Sequence, residues 1–289
     1  MEFDTRFRRK YNHFRRAAQE GRDVRLKIMN EINLKQSVAA DAAEAMARLE
    51  KRLLGTEHQD YFKRHHTRYS FLINVMLGIG ATGRVLDVGA SPGHVTAICA
   101  ELGKDITAAD LNPHEQFPAR TGQRPMNLFK EMGLPIAAAD AATGTLPFAG
   151  GSFGLVLFNE TLEHLAGSPL PAIREMARVL APGGMMLITT PNAASLRNRL
   201  NLLLGRNIYT PLRVAVNVAA YKCHNREYTL PEVVELVIMA GLEPVRASRH
   251  NVGRPISGKL KKIAHAAYYA VTWAWPPGRS LICVVAKKP

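Results

Sequence analysis

Four places along the chain carry residue types whose spacing could do chemistry. The first is Val85-Leu86-Asp87-Val88-Gly89-Ala90-Ser91-Pro92-Gly93-His94-Val95-Thr96. An apolar strand runs into an acid, then a turn of small residues, then a helix, so backbone amides and the positive helix end converge where a ligand carboxylate or phosphate can sit. A dinucleotide fingerprint would need glycine at 91 and 94, where the chain has Ser91 and His94, which disfavours a nicotinamide cofactor. The second place is a pair of acids that end later apolar runs, Asp110 and Asp140. The Asp110 carboxylate can accept two sugar hydroxyls at once. A lone strand-end aspartate is more often a helix cap, but three at the same end of successive strands are not independent accidents.

The third place is Glu160 and His164, four residues apart. Read as helical neighbours, they pair a general base active near neutral pH with a carboxylate that orients or polarises it; the plainer reading is a helix-start carboxylate and a packed histidine. The fourth is His224-Asn225-Arg226-Glu227-Tyr228. His224 there suits a base, a metal ligand or an anion contact, and the cluster equally suits closure of a loop ahead of a helix.

These residues need a frame to hold them. From residue 83 onward the chain alternates short β-rich runs with helical stretches, the pattern of βαβ units and a mainly parallel, doubly wound α/β sheet. Strands are expected at 85–88, 106–109, 136–139, 155–158, 185–189, 244–247 and 281–286, a seven-stranded sheet. One helix is expected to start at Pro92, another with Ser168 as cap, Pro169 at its first position and Gly183 past its end. A third opens with Thr229-Leu230-Pro231-Glu232, a capping box. Before residue 80 the apolar spacing is helical, in stripes Phe3, Phe7, Tyr11, Phe14; then Val38, Ala42, Ala45, Met46, Leu49, Leu53; then Tyr61, Phe62, Tyr69, Leu72, Met76. Residues 1–80 therefore read as a helical extension or cap and 81–289 as the main domain, with long connections at 192–228 and 249–278 that are functional candidates.

With these elements in place, residues 85–96 resemble the cofactor loop of the class I S-adenosylmethionine methyltransferases. The resemblance implies that Asp87 lies near the methionine end of S-adenosylmethionine, that Gly89 and Gly93 admit the backbone to it, and that Asp140 meets the adenine amino group. Ala90, Leu111, Ala141 and Asn159 complete the cofactor side. The family's middle glycine is Ser91 here, and Ser91-Pro92 stiffens the turn. The run from Leu146 to Leu165, and Glu175-Met176-Ala177-Arg178-Val179-Leu180-Ala181-Pro182-Gly183-Gly184, are similar to the branch that contains the ubiquinone-pathway O-methyltransferases. The acid usual after Ser-Phe is Gly154 here, read as loss of a surface charge.

Charge and composition narrow the partners. The net charge is +14 over 289 residues, yet residues 176–289 hold 16 basic and four acidic side chains. An anionic partner is expected, either a phosphorylated or lipid-linked small molecule, an acidic membrane surface or nucleic acid. Lys259, Lys261 and Lys262 followed by an apolar run with Trp273 and Trp275 suit peripheral membrane contact through 249–278; the alternative packs both tryptophans on the last strand. Segment 192–211, with Arg197, Arg199 and Arg206, reads as an amphipathic substrate lid. Cys99, Cys223 and Cys283 lack CxxC spacing, so no disulfide framework and no metal site is expected from them. The charged, aromatic start lacks a signal peptide's apolar run, giving an expected cytoplasmic location, or one peripheral to the inner membrane face.

The leading expectation is O-methylation of a small or lipid-linked acceptor, such as a saccharide or isoprenoid-type intermediate. RNA methylation is the second, weakened by the absence of an Asn/Asp-Pro-Pro-Tyr/Phe base-holding motif and of a Pro-Cys nucleophile. A non-catalytic binding or assembly module on the same fold is the third.

Overall fold

A computed structural model describes residues 12, 24–25, 36–111, 124, 126–253 and 258–289; the stripe from Phe3 to Phe14 lies outside them. The elements are β1 (Val24–Arg25), α1 (Gln36–Arg52), α2 (Gln59–Ile79), β2 (Val85–Val88), α3 (His94–Glu101), β3 (Ile106–Asp110), α4 (Leu128–Glu131), β4 (Ile136–Ala138), β5 (Phe153–Asn159), α5 (Leu170–Val179) and β6 (Leu180–Pro191). There follow α6 (Leu196–Leu203), α7 (Leu212–Ala215), α8 (Leu230–Met239), β7 (Glu243–His250), α9 (Lys259–Ala274) and β8 (Leu281–Lys287).

The strands lie in the order β1-β7-β8-β6-β5-β2-β3-β4. β4, β3, β2, β5 and β6 run parallel, and β8 inserts antiparallel between β6 and β7. All seven expected strands are present, and β1 adds a two-residue edge paired with β7. Val85 and Asp87 face one side of the sheet while Leu86 and Val88 face the other, and both sides are covered. Leu86 and Val88 pack with Ile173, Met176, Val233 and Val237 from α5 and α8. Val85 packs with Leu49, Phe62, Ile73, Ile98 and Leu128 from α1 to α4. Burial on both faces is why these strands read as continuous apolar runs. The N-terminal helices thus share the sheet's core: Leu49, Leu53 and Phe62 are wholly buried.

Three local expectations are corrected. The first sheet-proximal helix begins at His94 with Gly93 as its cap residue. The next starts at Leu170 after Pro169, without a side-chain cap, and ends at Val179; Gly183 and Gly184 lie inside the long strand β6. Gly154 is there for room, since a Cβ at that position would run into the Thr82 carbonyl oxygen. An acid could not be seated without moving backbone. Gly154→Ala should therefore destabilise the fold by about 1–3 kcal/mol, read as a lower urea midpoint at constant slope; an unchanged midpoint counts against the packing account. The expected capping box forms, with the Glu232 carboxylate accepting the Thr229 amide at 2.8 Å.

Candidate active site

The chain leaves β4 and crosses back to place β5 on the other side of β2, so the carboxyl ends of β2 and β5 sit side by side, Val88 opposite Phe158. In a doubly wound sheet this reversal opens a crevice. Here it is a cavity of about 790 Å³. Asp87, Gly89, Ala90, Asp110, Leu111, Asp140, Ala141, Asn159, Glu160, His164 and His224 all line it. Gly93 stands just behind: its φ of 90° and the 3.1 Å that would separate a Cβ from the Phe129 ring make its contribution conformational. Gly89, with φ 71°, lies so close to Thr161 that a Cβ would overlap that side chain.

Asp87 is buried, and its Oδ2 accepts from the Thr96 hydroxyl at 2.7 Å. Burial pushes its carboxyl up to about 7, against the Thr96 hydrogen bond and with a further upward contribution from Asp110. Asp110 accepts the Ser91 amide at 2.9 Å, tying the loop after β2 to the end of β3. Asp140 caps its own short turn, its Oδ1 accepting the Ala142 amide at 2.8 Å. The cap and the cavity position coexist in one side chain. Asn159 accepts from the Thr189 hydroxyl at 3.2 Å, while its buried Nδ2 has no partner among the described residues.

The Glu160–His164 pair is not the expected helical couple. Glu160 leaves β5 with φ 51°, and a short 3-10 turn, Leu162–His164, follows. Glu160 instead pairs with Arg68 of α2 at 3.0 Å. His164 is oriented by the Cys223 carbonyl, which accepts from its Nδ1 at 2.9 Å. Burial first, and His224 second, hold the His164 imidazole below its ordinary range, against backbone carbonyls of Cys223 and Tyr221. The His164 and His224 rings meet edge to face, centroids 4.9 Å apart.

The cluster 224–228 does more than close a loop. The Asn225 amide donates to the Glu163 carbonyl at 2.8 Å and the Asn225 side chain to the His164 carbonyl at 2.8 Å, docking the segment on the 3-10 turn. Glu163, passed over in sequence, sits between these elements: it is 1% exposed and accepts from Thr190 at 2.9 Å. Burial and the neighbouring Glu160 push it well above the carboxylate range. Tyr61, His65, Arg68 and Tyr69 of α2 also line the cavity. Tyr61 and Tyr69 were legible only as members of an apolar stripe, which reports burial and not a ligand, and His65 and Arg68 were not singled out at all.

A family model described as a methyltransferase domain matches residues 42–245. The chain belongs to the methyltransferase-domain family. The ubiquinone biosynthesis O-methyltransferase of Caulobacter sp. (strain K31) is 36% identical over 110 residues, 38% of this chain and 41% of that protein. The enzyme of the same name from Xanthomonas oryzae pv. oryzae is 36% identical over 112 residues, 39% of this chain and 44% of that protein. The chain thus spans about two-fifths of the length of these curated relatives. A SAM-dependent methyltransferase from Archaeoglobus fulgidus superposes with a TM-score of 0.54 at 14% identity, covering 80% of this chain and 97% of that one. The Burkholderia thailandensis 1,6-didemethyltoxoflavin-N1-methyltransferase, solved with bound 1,6-didemethyltoxoflavin and S-adenosylhomocysteine, gives 0.50 at 21% identity, covering 86% and 90%. These two share the methyltransferase fold with this chain.

Proposed function

We propose that the protein transfers a methyl group from S-adenosylmethionine to an oxygen of a small or lipid-linked acceptor. The observation that carries this reading is the convergence of Asp87, Asp110, Asp140 and His164 on one cavity at the sheet's reversal point. The residues fit the cofactor. The orphaned Asn159 Nδ2 is a buried donor awaiting an acceptor, and the loop at Gly89 admits backbone but no side chain. S-adenosylmethionine supplies a sulfonium methyl open to direct displacement. Asp87 serves its cationic methionine end, which favours the ionised carboxylate that burial otherwise disfavours. Asp110 accepts the ribose hydroxyls, and Asp140 with Leu111 and Ala141 holds the adenine. His164 takes the acceptor's hydroxyl proton as the oxygen–methyl bond forms, and the cavity walls hold that oxygen in line. The names of the curated relatives support oxygen as the atom methylated and an isoprenoid-type acceptor over a saccharide. Incubation of host extract with the purified chain and methyl-labelled cofactor, followed by mass spectrometry, tests this: label is expected in a small or lipid-linked methyl ether. Label only in RNA or protein overturns it.

A lipid-linked acceptor is also supported by the two long insertions. Trp273 is 79% exposed and Ile263 60%, on the helix whose basic start includes the exposed Lys262. Leu203 (83%) and Leu212 (76%) are exposed on α6 and α7. Trp273 therefore does not pack on β8, while Trp275, 38% exposed, has the Arg199 guanidinium 5.1 Å over its ring, joining α6 to the end of α9. No helix among the described residues is long and apolar enough to cross a membrane. Basic residues beside exposed indole and leucine side chains suit the interface of an anionic bilayer. In flotation assays the protein should bind anionic and not neutral vesicles, and lose binding when Lys259, Lys261 and Lys262 become glutamine. Absence of binding to both removes the membrane contact and leaves a freely dissolved acceptor.

A further inference from the structure

We infer that the proton which His164 takes from the acceptor leaves the cavity through His224, and that Glu227 positions His224 for this transfer. The inference rests on the methyl-transfer reading for the proton's origin, and on cavity and side-chain geometry for its route. His224 stands in a wall shared by two cavities. It lines the reaction cavity beside His164, and it also lines a cleft of about 320 Å³ with Tyr209, Thr210, Val218 and Asn225. His164 does not reach that cleft. The two imidazole rings meet edge to face with centroids 4.9 Å apart, and a ring nitrogen of each lies within 4.8 Å of the other, a span that one bridging water closes.

The contacts behind the two rings give the route its direction. A carbonyl oxygen can only accept, so the Cys223 carbonyl at 2.9 Å places the His164 proton on Nδ1 and leaves Nε2 to receive. His224 donates from Nδ1 to the Glu227 carboxylate at 3.1 Å, which makes Nε2 its receiving nitrogen too. Glu227 is in turn fixed by the Asn198 side-chain amide at 2.9 Å, and the His224 backbone amide donates to the Thr210 hydroxyl at 3.3 Å. A carboxylate behind an imidazole fixes its tautomer and stabilises the imidazolium formed when it takes a proton. His164 has carbonyls there instead, and burial with His224 beside it holds its imidazole below the ordinary range. It therefore passes a proton on readily, and the His224 side chain that receives it is 38% exposed. The neighbouring charges are engaged elsewhere: Glu160 pairs with Arg68 and Arg226 with Glu232, while Glu163 accepts from Thr190.

The acceptor's oxygen lone pair forms the bond to the methyl carbon, and the carbon–sulfur pair stays on sulfur as a neutral thioether. The hydroxyl proton goes to His164 Nε2. From that imidazolium it passes to His224 Nε2, where the Glu227 carboxylate offsets the charge, and from His224 to water in the cleft. Both imidazoles end as they began, neutral and protonated on Nδ1. Histidine takes and releases a proton near neutral pH, which suits it to such a shuttle.

The full chain is to be incubated with host extract and methyl-labelled S-adenosylmethionine, and the initial rate of label transfer measured with and without added imidazole. His224→Ala is expected to slow transfer by about 10²-fold, the lower end of what a positioned proton-transfer group contributes. Imidazole, entering the cleft as a diffusible substitute, should restore that variant and leave the parent rate unchanged. Glu227→Gln keeps an oxygen for His224 Nδ1 and loses the charge, so a loss of about tenfold is expected. S-adenosylhomocysteine affinity, measured in parallel, reports the folding of both variants. Long-range proton–nitrogen NMR of the parent's S-adenosylhomocysteine complex reads the tautomers without an acceptor, and the neutral form of each ring should carry its proton on Nδ1. A parent-like rate in His224→Ala, a slowed His224→Ala that imidazole does not restore, or a proton on Nε2 of either neutral ring overturns the relay and leaves methyl transfer intact. A parent chain that transfers no label overturns methyl transfer itself, and the relay with it.

Discussion

His164→Ala should lower turnover by about 10²- to 10⁴-fold, the usual loss when a general base is removed, with S-adenosylhomocysteine affinity unchanged. The separation follows from position: His164 lies on the 3-10 turn after β5, while Asp110 and Asp140 stand at the ends of β3 and β4. Because His164 also clamps the Cys223 carbonyl, His164→Asn is the companion variant, since its side-chain amide can still donate to that carbonyl. Recovery of rate in His164→Asn would reduce the residue to a clamp. The pH profile adds an independent check. The imidazole must be neutral to accept a proton, and burial with His224 beside it holds the residue below its ordinary range. The acid limb of the rate profile should therefore fall below the ordinary histidine value of about 6.5, with the rate lost as pH drops through that limb. An acid limb displaced above it points to a different group.

Asp110→Ala should weaken binding of both S-adenosylmethionine and S-adenosylhomocysteine by about 1.5–3 kcal/mol, the range for hydrogen bonds to a charged group, or roughly ten- to a hundredfold. The structure gives a reason to expect the upper end. Asp110 also receives the Ser91 amide at 2.9 Å, so its loss releases the loop between β2 and α3 as well as the ribose. Asp110→Asn keeps an oxygen for Ser91 and loses the charge, and should fall between the parent and the alanine variant. Calorimetry decides: equal affinities in the parent and Asp110→Ala would remove Asp110 from the cofactor set.

What was legible in the sequence follows from what local pattern can encode. The strands β2 and β5 stood out because a parallel strand covered on both faces must be apolar at every position, and Val85–Val88 is buried throughout. The turn at Gly89 to Gly93 was readable because positive φ and close approach demand glycine. Asp87, Asp110 and Asp140 could be placed because strand ends in a doubly wound sheet all open on the same crevice.

Other features depended on which distant segments meet. Glu160 and His164 looked like helical partners by their spacing of four, but a left-handed residue at Glu160 breaks that geometry and hands its carboxylate to Arg68, 92 residues earlier. Helix α2 was visible as an amphipathic stripe, yet only packing shows that its edge walls the cavity. Gly154 read as a missing charge until the Thr82 carbonyl occupied the space above it. In sequence the tryptophans of 249–278 fitted packing on the sheet somewhat better than facing solvent, and tertiary packing exposed Trp273.

By itself, then, the sequence determined the αβ alternation, the methyltransferase-domain family and the three strand-end acids, because each is written in backbone preference and burial over a few consecutive residues. Only the tertiary structure decided that Glu163, His164 and His224 stand together, since a loop 59 residues further along had to dock its Cys223 carbonyl on the 3-10 turn. A contact of that span is fixed by strand order and loop closure, and no short window of sequence contains both of its halves.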